Sequence, residues 1–155
     1  PIVDHIVELL KEQRKLLVFA WHKDFIRALQ LELYFADTEA VAYYGAATDK
    51  QKEQAKSLFI NDPKTKVFIG NIASAGTGLD GLQKVCSYAL FAEIPWTYTE
   101  IAQASDRLHR YGQTNPVCVD LIVLTDSIES YVVRQVLAKE GYFNETFNRN
   151  EYLTR

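Results

Sequence analysis

The chain has 155 residues, of which 48% are hydrophobic and 24% charged, with 17 basic against 20 acidic side chains. That balance predicts one globular domain with a sizeable core and excludes a disordered or collagen-like chain. The net charge of −3 argues against a dedicated nucleic-acid-binding module, which usually carries a basic excess, but leaves room for local phosphate contacts.

No apolar run approaches the roughly 20 residues of a membrane span, so no membrane partner is expected. The opening stretch PIVDHIVELLKEQRK mixes charged and apolar positions and is not built as a signal peptide, which predicts an intracellular protein. A chain that begins at Pro1 and contains no methionine reads as a segment of a longer one. Cys86 and Cys118 sit in apolar stretches without a CxxC pattern and read as two buried, reduced thiols. His5, His22 and His109 share no metal spacing, so no metal site is expected.

In chain order, apolar clusters of strand length fall at Lys15 to Ala20, Ala40 to Tyr44, Lys66 to Asn71, Ser87 to Glu93 and Val117 to Leu124. They are rich in Val, Ile, Phe and Tyr with little alternation, as expected of strands buried on both faces. Helical patterns lie between them. Asp24 to Tyr34 places Phe25, Ile26, Leu29 and Leu33 on one stripe, and Asp49 to Phe59 is a polar helix with Ala55, Leu58 and Phe59 as apolar contacts. A third runs from about Thr99, as N-cap, to Arg110; a fourth spans Ser127 to Glu140 and stops at Gly141. The alternation predicts an α/β domain with a mainly parallel sheet over residues 1–141, followed by an aromatic tail, 142–155.

The stretch SAGTGLDG carries Gly76, Gly78 and Gly81 in the spacing of a dinucleotide fingerprint, with Glu93 ending the next strand at a suggestive distance. Only Leu82 to about Cys86 remain for the helix that should follow, too little for a parallel crossover, which disfavours the dinucleotide reading. The glycines then serve either a tight turn beneath neighbouring loops or a loop whose amides meet a phosphate.

QASDRLHRYGQ, Gln103 to Gln113, puts Gln103, Arg107 and Arg110 on one helical face. In one reading Asp106 pairs with Arg110 four residues on and Arg107 is a solvated charge. In the other, the two guanidiniums point at the ligand-binding edge of an open sheet and engage phosphate oxygens bidentately.

This segment resembles motif VI of Swi/Snf-type ATPases in helicase superfamily two, matching at Gln103, Arg107, His109, Arg110, Gly112 and Gln113. Other segments follow in the family's order. KLLVFAWHKDFIRAL resembles motif IV with its helix, AYYGAATDKQKEQAKSLF the next block, VFIGNIASAGTGLDGL motif V, and DSIESYVVRQVLAKE the closing helix. The likeness is greatest to the annealing-helicase-like branch. Three departures touch local DNA contacts more than the ATP role: Thr97 and Tyr98 follow Trp96 where the family has Asn-Pro, Asp80 stands where motif V often has Asn, and Lys52 replaces a common arginine.

The resemblance implies a RecA-like, three-layer lobe, the second of a two-lobe motor that hydrolyses ATP while tracking along double-stranded or branched DNA. It places the protein in a prokaryotic cytoplasm or a eukaryotic nucleus. The first ATPase lobe, with its phosphate-binding loop and magnesium ligands, is the implied partner; no GxxxxGK[ST] occurs here, so the chain alone is expected to be inactive. By the same resemblance, Arg107 and Arg110 are arginine fingers, Gln103 positions the nucleotide, Asp106 steadies the fingers, and Gly76, Gly78 and Asp80 border the nucleotide. Ser74, Gly76, Thr77, Lys52 and Trp96 are implied DNA contacts. Lys50, Lys52 and Lys56 form either a basic DNA-facing surface or a solvated helix face, and Trp96 beside Pro95 can equally be a packing residue. The rival from another class is a RecA-like module that binds DNA or protein without catalysis.

Overall fold

The structure, a computed structural model, describes residues 1–45, 47–74, 79–123 and 128–139. Its centre is a parallel sheet of five strands, β1 (Leu16–Ala20), β2 (Glu39–Tyr43), β3 (Thr65–Asn71), β4 (Tyr88–Phe91) and β5 (Cys118–Leu121), in the spatial order β2-β3-β1-β4-β5. Five helices surround it: α1 (Ile2–Glu12), α2 (Lys23–Phe35), α3 (Asp49–Asn61), α4 (Tyr98–Leu108) and α5 (Ile128–Lys139). This is the three-layer α/β arrangement expected from the alternation of elements.

β1 lies between β3 and β4, with Leu17 opposite Phe68 on one side and Ala89 on the other. All five of its residues are 0% exposed. Its alternate residues point to opposite faces, and each face has its own core. Leu16, Val18 and Ala20 pack with Val67, Ile69 and Leu90 beneath Ile6 of α1 and Ile26, Leu29 and Leu33 of α2. Leu17 and Phe19 pack with Phe68, Ala89 and Phe91 beneath Ala55 and Phe59 of α3, Ile101, Ala104 and Leu108 of α4, and Val133 of α5.

Local chemistry sets several boundaries. Thr48 caps α3: its backbone N–H donates to Gln51 Oε1 at 2.9 Å and its hydroxyl accepts from Gln51 N at 3.3 Å. At the other end of α3, Lys15 Nζ donates to the Asp62 carbonyl at 2.8 Å and to the Phe59 carbonyl, satisfying groups the helix leaves unpaired. α4 starts two residues before the expected Thr99. Thr97 is its cap, with the Thr97 N–H donating to Glu100 at 3.1 Å. The opening stretch is helix α1, a periodicity carried by Ile2, Ile6, Leu9 and Leu10. The expected start at Ser127, the expected stop at Gly141 and the boundary between 141 and 142 lie outside the described residues.

Two expectations change. Among the described residues of the segment 72–87 between β3 and β4 there are two short 3-10 turns, Ile72–Ser74 and Leu82–Lys84, and no full helix, yet β4 is parallel to β3. The connection is anchored in the core by Leu79 and Leu82, both buried. The objection to a dinucleotide fold survives in another form: no full helix follows the glycines. Cys118, expected to be buried, is exposed because β5 is an edge strand, whereas Cys86 is buried and its thiol is pushed by burial up to about 11. Among the described residues no helix is long and apolar enough to cross a membrane.

Two outcomes follow from this packing. Phe68 is fully buried between Tyr43 and Phe59, with ring centroids 6.1 and 5.5 Å away. Phe68→Ala is therefore expected to cost about 3–5 kcal/mol, read as a lower urea midpoint at unchanged slope. In the native protein a maleimide should label Cys118 and leave Cys86 untouched until denaturant is added; equal labelling rates would contradict the burial difference.

Candidate functional site

Helix α4 turns Ile101, Ala104 and Leu108 into the core, and this sets where its polar residues go. Arg107 is in the last turn, while Arg110 lies beyond the helix end, in the bend that leads to Gly112. The helix stops there because His109 leaves the helical conformation and Gly112 takes φ +94°, a value that strains any side-chain-bearing residue. Gln113 closes the bend: its side-chain amide donates to the carbonyls of Leu108 at 3.2 Å and Cys86 at 2.9 Å. Gln103, Arg107 and Arg110 thus do not share one continuous helical face as expected.

The two arginines nevertheless converge. Arg107 Nη1 lies 3.8 Å from Asp80 Oδ1, and Arg110 Nη1 pairs with the same oxygen. The partner of Arg110 is Asp80, not Asp106, which is exposed; the expected pairing four residues along the helix, and the role of Asp106 in steadying the arginines, both pass to Asp80. Asp80 itself is 66% exposed, Arg107 20% and Arg110 36%. With that much solvent, each pair contributes at most about 1 kcal/mol. Its main effect is geometric, because one carboxylate relieves the repulsion between two cations a turn apart.

Asp80 is held in place by its neighbours. Leu79 and Leu82 on either side are 1% and 0% exposed. Gly81 turns the chain at φ +98° and donates its N–H to Gln83 Oε1 at 2.9 Å. The other end of that amide donates to the Tyr111 carbonyl at 3.4 Å, so buried Gln83 ties the Asp80 loop to the Arg110 bend. Nothing in the spacing of LDGLQK marks Gln83; its role requires two segments 28 residues apart to meet. Gly76, Thr77 and Gly78 lie outside the described residues, and Gln103 is exposed on the surface of α4.

The sheet topology corrects the expected position of this site. α4 connects the carboxyl end of β4 to the amino end of the parallel strand β5, so it runs back along the sheet. Arg107 and Arg110, at its far end, lie by the amino ends of the strands, not by the carboxyl edge where open sheets usually bind ligands.

The carboxyl edge holds different residues. There Glu93 accepts from the N–H groups of Trp21 at 2.7 Å and His22 at 2.9 Å, and pairs with His22 Nδ1 at 2.6 Å. Asn71 donates to the Trp21 carbonyl at 2.6 Å and accepts from Ala73 N at 2.9 Å. The acidic residue that suggested a ribose contact is thus occupied in joining the ends of β1 and β4. Ser74 follows β3 at this edge, Trp96 follows β4, and Lys52 opens α3 after β2. Trp96 is 70% exposed, which removes the packing reading. Lys52 lies 3.8 Å from Asp49 and over the Tyr43 ring at 5.3 Å, and Lys56 lies 3.2 Å from Glu53. Both cations are therefore half-buried and partly neutralised, and Lys50 is exposed. Among the described residues no group of three or more His, Cys, Asp or Glu converges to hold a metal.

Residues 2–112, which carry β1 to β4 and the arginine bend, match the family described as the helicase conserved C-terminal domain. The chain belongs to that family. Two curated relatives are similar over most of this helicase C-terminal domain. The mouse DNA annealing helicase and endonuclease ZRANB3 is 28% identical over 148 residues, covering 95% of this chain and 14% of that protein. The Drosophila melanogaster SWI/SNF-related matrix-associated actin-dependent regulator of chromatin subfamily A-like protein 1 is 24% identical over 151 residues, covering 94% and 20%. The chain therefore spans a fifth or less of the length of these relatives. The crystal structure of the C-terminal part of the Fun30 ATPase domain superposes with a TM-score of 0.78 at 23% identity, over 86% of this chain and 44% of that one, and shows the same RecA-like fold. The Swi/Snf-type resemblance read from the motifs agrees with these similarities.

The hydrogen bond from Glu93, with its charge, raises the His22 pKa above the ordinary 6.5. A raised histidine contributes stability that is complete below pH 6.5 and is lost as pH climbs through the raised value. By NMR, the His22 ring proton should titrate above 6.5 in the helicase C-terminal domain and move back towards it in Glu93→Gln. Identical midpoints would contradict the pairing.

Proposed function

We propose that this chain is the second motor lobe of an ATP-dependent translocase or remodeller of double-stranded DNA. In this reading it works with a first ATPase lobe of the same protein, and Arg107 and Arg110 act on ATP bound between the two. The observation that carries the proposal is the convergence of both guanidiniums on a single carboxylate oxygen. Groups that share one oxyanion in this way have the spacing and charge to share phosphate oxygens, and the planar fork of arginine suits that contact better than lysine does.

The residues present fit a polyphosphate. Magnesium, in this reading, is held by the first lobe. The work of this chain is electrostatic: Arg110, at the tip of the bend and 36% exposed, is the first choice to face charge that develops on the transferring phosphoryl group, with Arg107 behind it. Gln103, exposed one turn before Arg107, would position the nucleotide or couple it to the lobe contact. Comparable arginines contribute about 10³–10⁵ in rate.

DNA contact is assigned to Ser74, Gly76 and Thr77, which would meet backbone phosphates, together with Lys52 and exposed Trp96 at the carboxyl edge. Amide and hydroxyl contacts of this kind suit a chain of net charge −3. The names of the similar proteins, a DNA annealing helicase and a chromatin regulator, support a DNA substrate. Closing and opening of the two lobes would then couple the arginine site at one end of α4 to the DNA-facing loops at the other.

The test is DNA-stimulated ATP hydrolysis by the full-length protein. Arg110→Ala, and Arg107→Ala with Arg110→Ala, should lower the rate a hundredfold or more, roughly, while folding is preserved. A wild type without DNA-stimulated hydrolysis, or variants equal to wild type, would make this a non-catalytic binding module instead.

A further inference from the structure

We infer that Asp80 is the resting counter-ion of the arginine pair: its carboxylate occupies the place that nucleotide phosphate takes on binding, and so it both orients the guanidiniums and lowers nucleotide affinity. The inference rests on the reading of Arg107 and Arg110 given above and adds a positioning residue that acts through them.

Three observations carry it. First, a single oxygen, Asp80 Oδ1, meets Arg110 Nη1 and lies 3.8 Å from Arg107 Nη1, so both cations are directed to one point rather than splayed apart by repulsion. A phosphate oxygen, like the carboxylate oxygen already there, carries negative charge and accepts charge-assisted hydrogen bonds from guanidinium groups. Second, Asp80 is not a passing surface charge that happened to meet a long side chain. It stands between two buried leucines, Leu79 and Leu82, and next to Gly81 at φ +98°, and Gln83 ties this turn to the Tyr111 carbonyl of the arginine bend. The carboxylate and the guanidiniums are thus carried on two segments braced against each other. Third, the pair is accessible: Asp80 is 66% exposed and Arg110 36%, so a ligand can reach the arginines from solvent without opening the core.

Two consequences separate the roles of charge and geometry. Removing the negative charge while keeping an acceptor, as in Asp80→Asn, leaves the arginines oriented and relieves the competition. Removing the acceptor as well, as in Asp80→Ala, also relieves the competition but frees the guanidiniums to adopt other rotamers. Nucleotide affinity therefore rises in both variants, and turnover falls further in the second than in the first.

The experiment measures equilibrium binding of a fluorescent, non-hydrolysable ATP analogue with magnesium to the full-length protein, alongside DNA-stimulated kcat. Asp80→Asn should bind the analogue about two- to fivefold more tightly, the scale of a solvent-exposed ion pair, and keep a higher kcat than Asp80→Ala. Asp80→Ala should bind more tightly and lose about tenfold in kcat, the rescue by asparagine showing that orientation and not mere folding is at stake. The tightening should vanish when Asp80→Asn is added to Arg110→Ala, because the carboxylate then has no Arg110 to compete for. Unchanged affinity in Asp80→Asn, or the same tightening with and without Arg110, would overturn the inference. If Arg110→Ala hydrolyses ATP normally while the Arg110-dependent tightening is observed, the counter-ion stands and the catalytic role of the arginines falls. If Arg110→Ala is inactive and Asp80→Asn binds like wild type, the catalytic role stands and the counter-ion falls.

Discussion

The arrangement of this domain depends on one constraint: β1 occupies the middle of the sheet, so the chain leaving β3 has to pass it to reach β4. The passage is made by residues 72–87, whose described residues hold no full helix; Leu79 and Leu82 enter the core and Asp80 stays at the surface between them. Helix α4 then makes the return journey from β4 to the start of β5. The two paths end side by side at the amino ends of the strands, and Asp80 meets Arg107 and Arg110 there. A longer crossover helix over β1 would have carried Asp80 elsewhere and left two cations facing each other.

The same topology divides the polar residues into two sets that do different physical work. At the carboxyl edge, Glu93 and Asn71 spend their hydrogen-bonding capacity on the backbone of Trp21 and His22. The Glu93 bonds tie the end of β4 to that of β1, and the Asn71 bond ties the end of β3 to that of β1. At the amino end, Gln83 and Gln113 brace the loops, while charged groups remain solvent-accessible. At this end neutral amides hold the frame and the charged groups stay in contact with solvent, as the desolvation cost of burying ions favours.

Much of the frame was legible from residue patterns. The runs KLLVFA, KVFIGN and SYALFAE read as strands because branched and aromatic residues without alternation suit a sheet covered on both faces; the helix after β4 was legible too, but its cap is Thr97 and not the expected Thr99. The arginine bend was legible as chemistry from QASDRLHRYGQ. Its position was not, because the direction of α4 relative to the sheet depends on which strands are neighbours. Cys118 was misjudged for a related reason: composition makes β5 look like the inner strands, and only strand order reveals that it is an edge. Glu93 looked like a ribose ligand at the right spacing, yet its partners are backbone amides 71 and 72 residues earlier.

The sequence by itself determined the alternation of strands and helices, the pairing of apolar faces and the presence of two arginines close together near a glycine. These are local properties, set by periodicity, backbone freedom and the chemistry of neighbouring side chains. The tertiary structure alone decided that Asp80, rather than Asp106, pairs with Arg110, that Gln83 joins the two loops, and that the arginine site and Trp96 lie at opposite ends of α4. The reason is that a charge four residues away on a helix is near in any fold, whereas a charge 30 residues away is near only when the order of parallel strands brings its loop there.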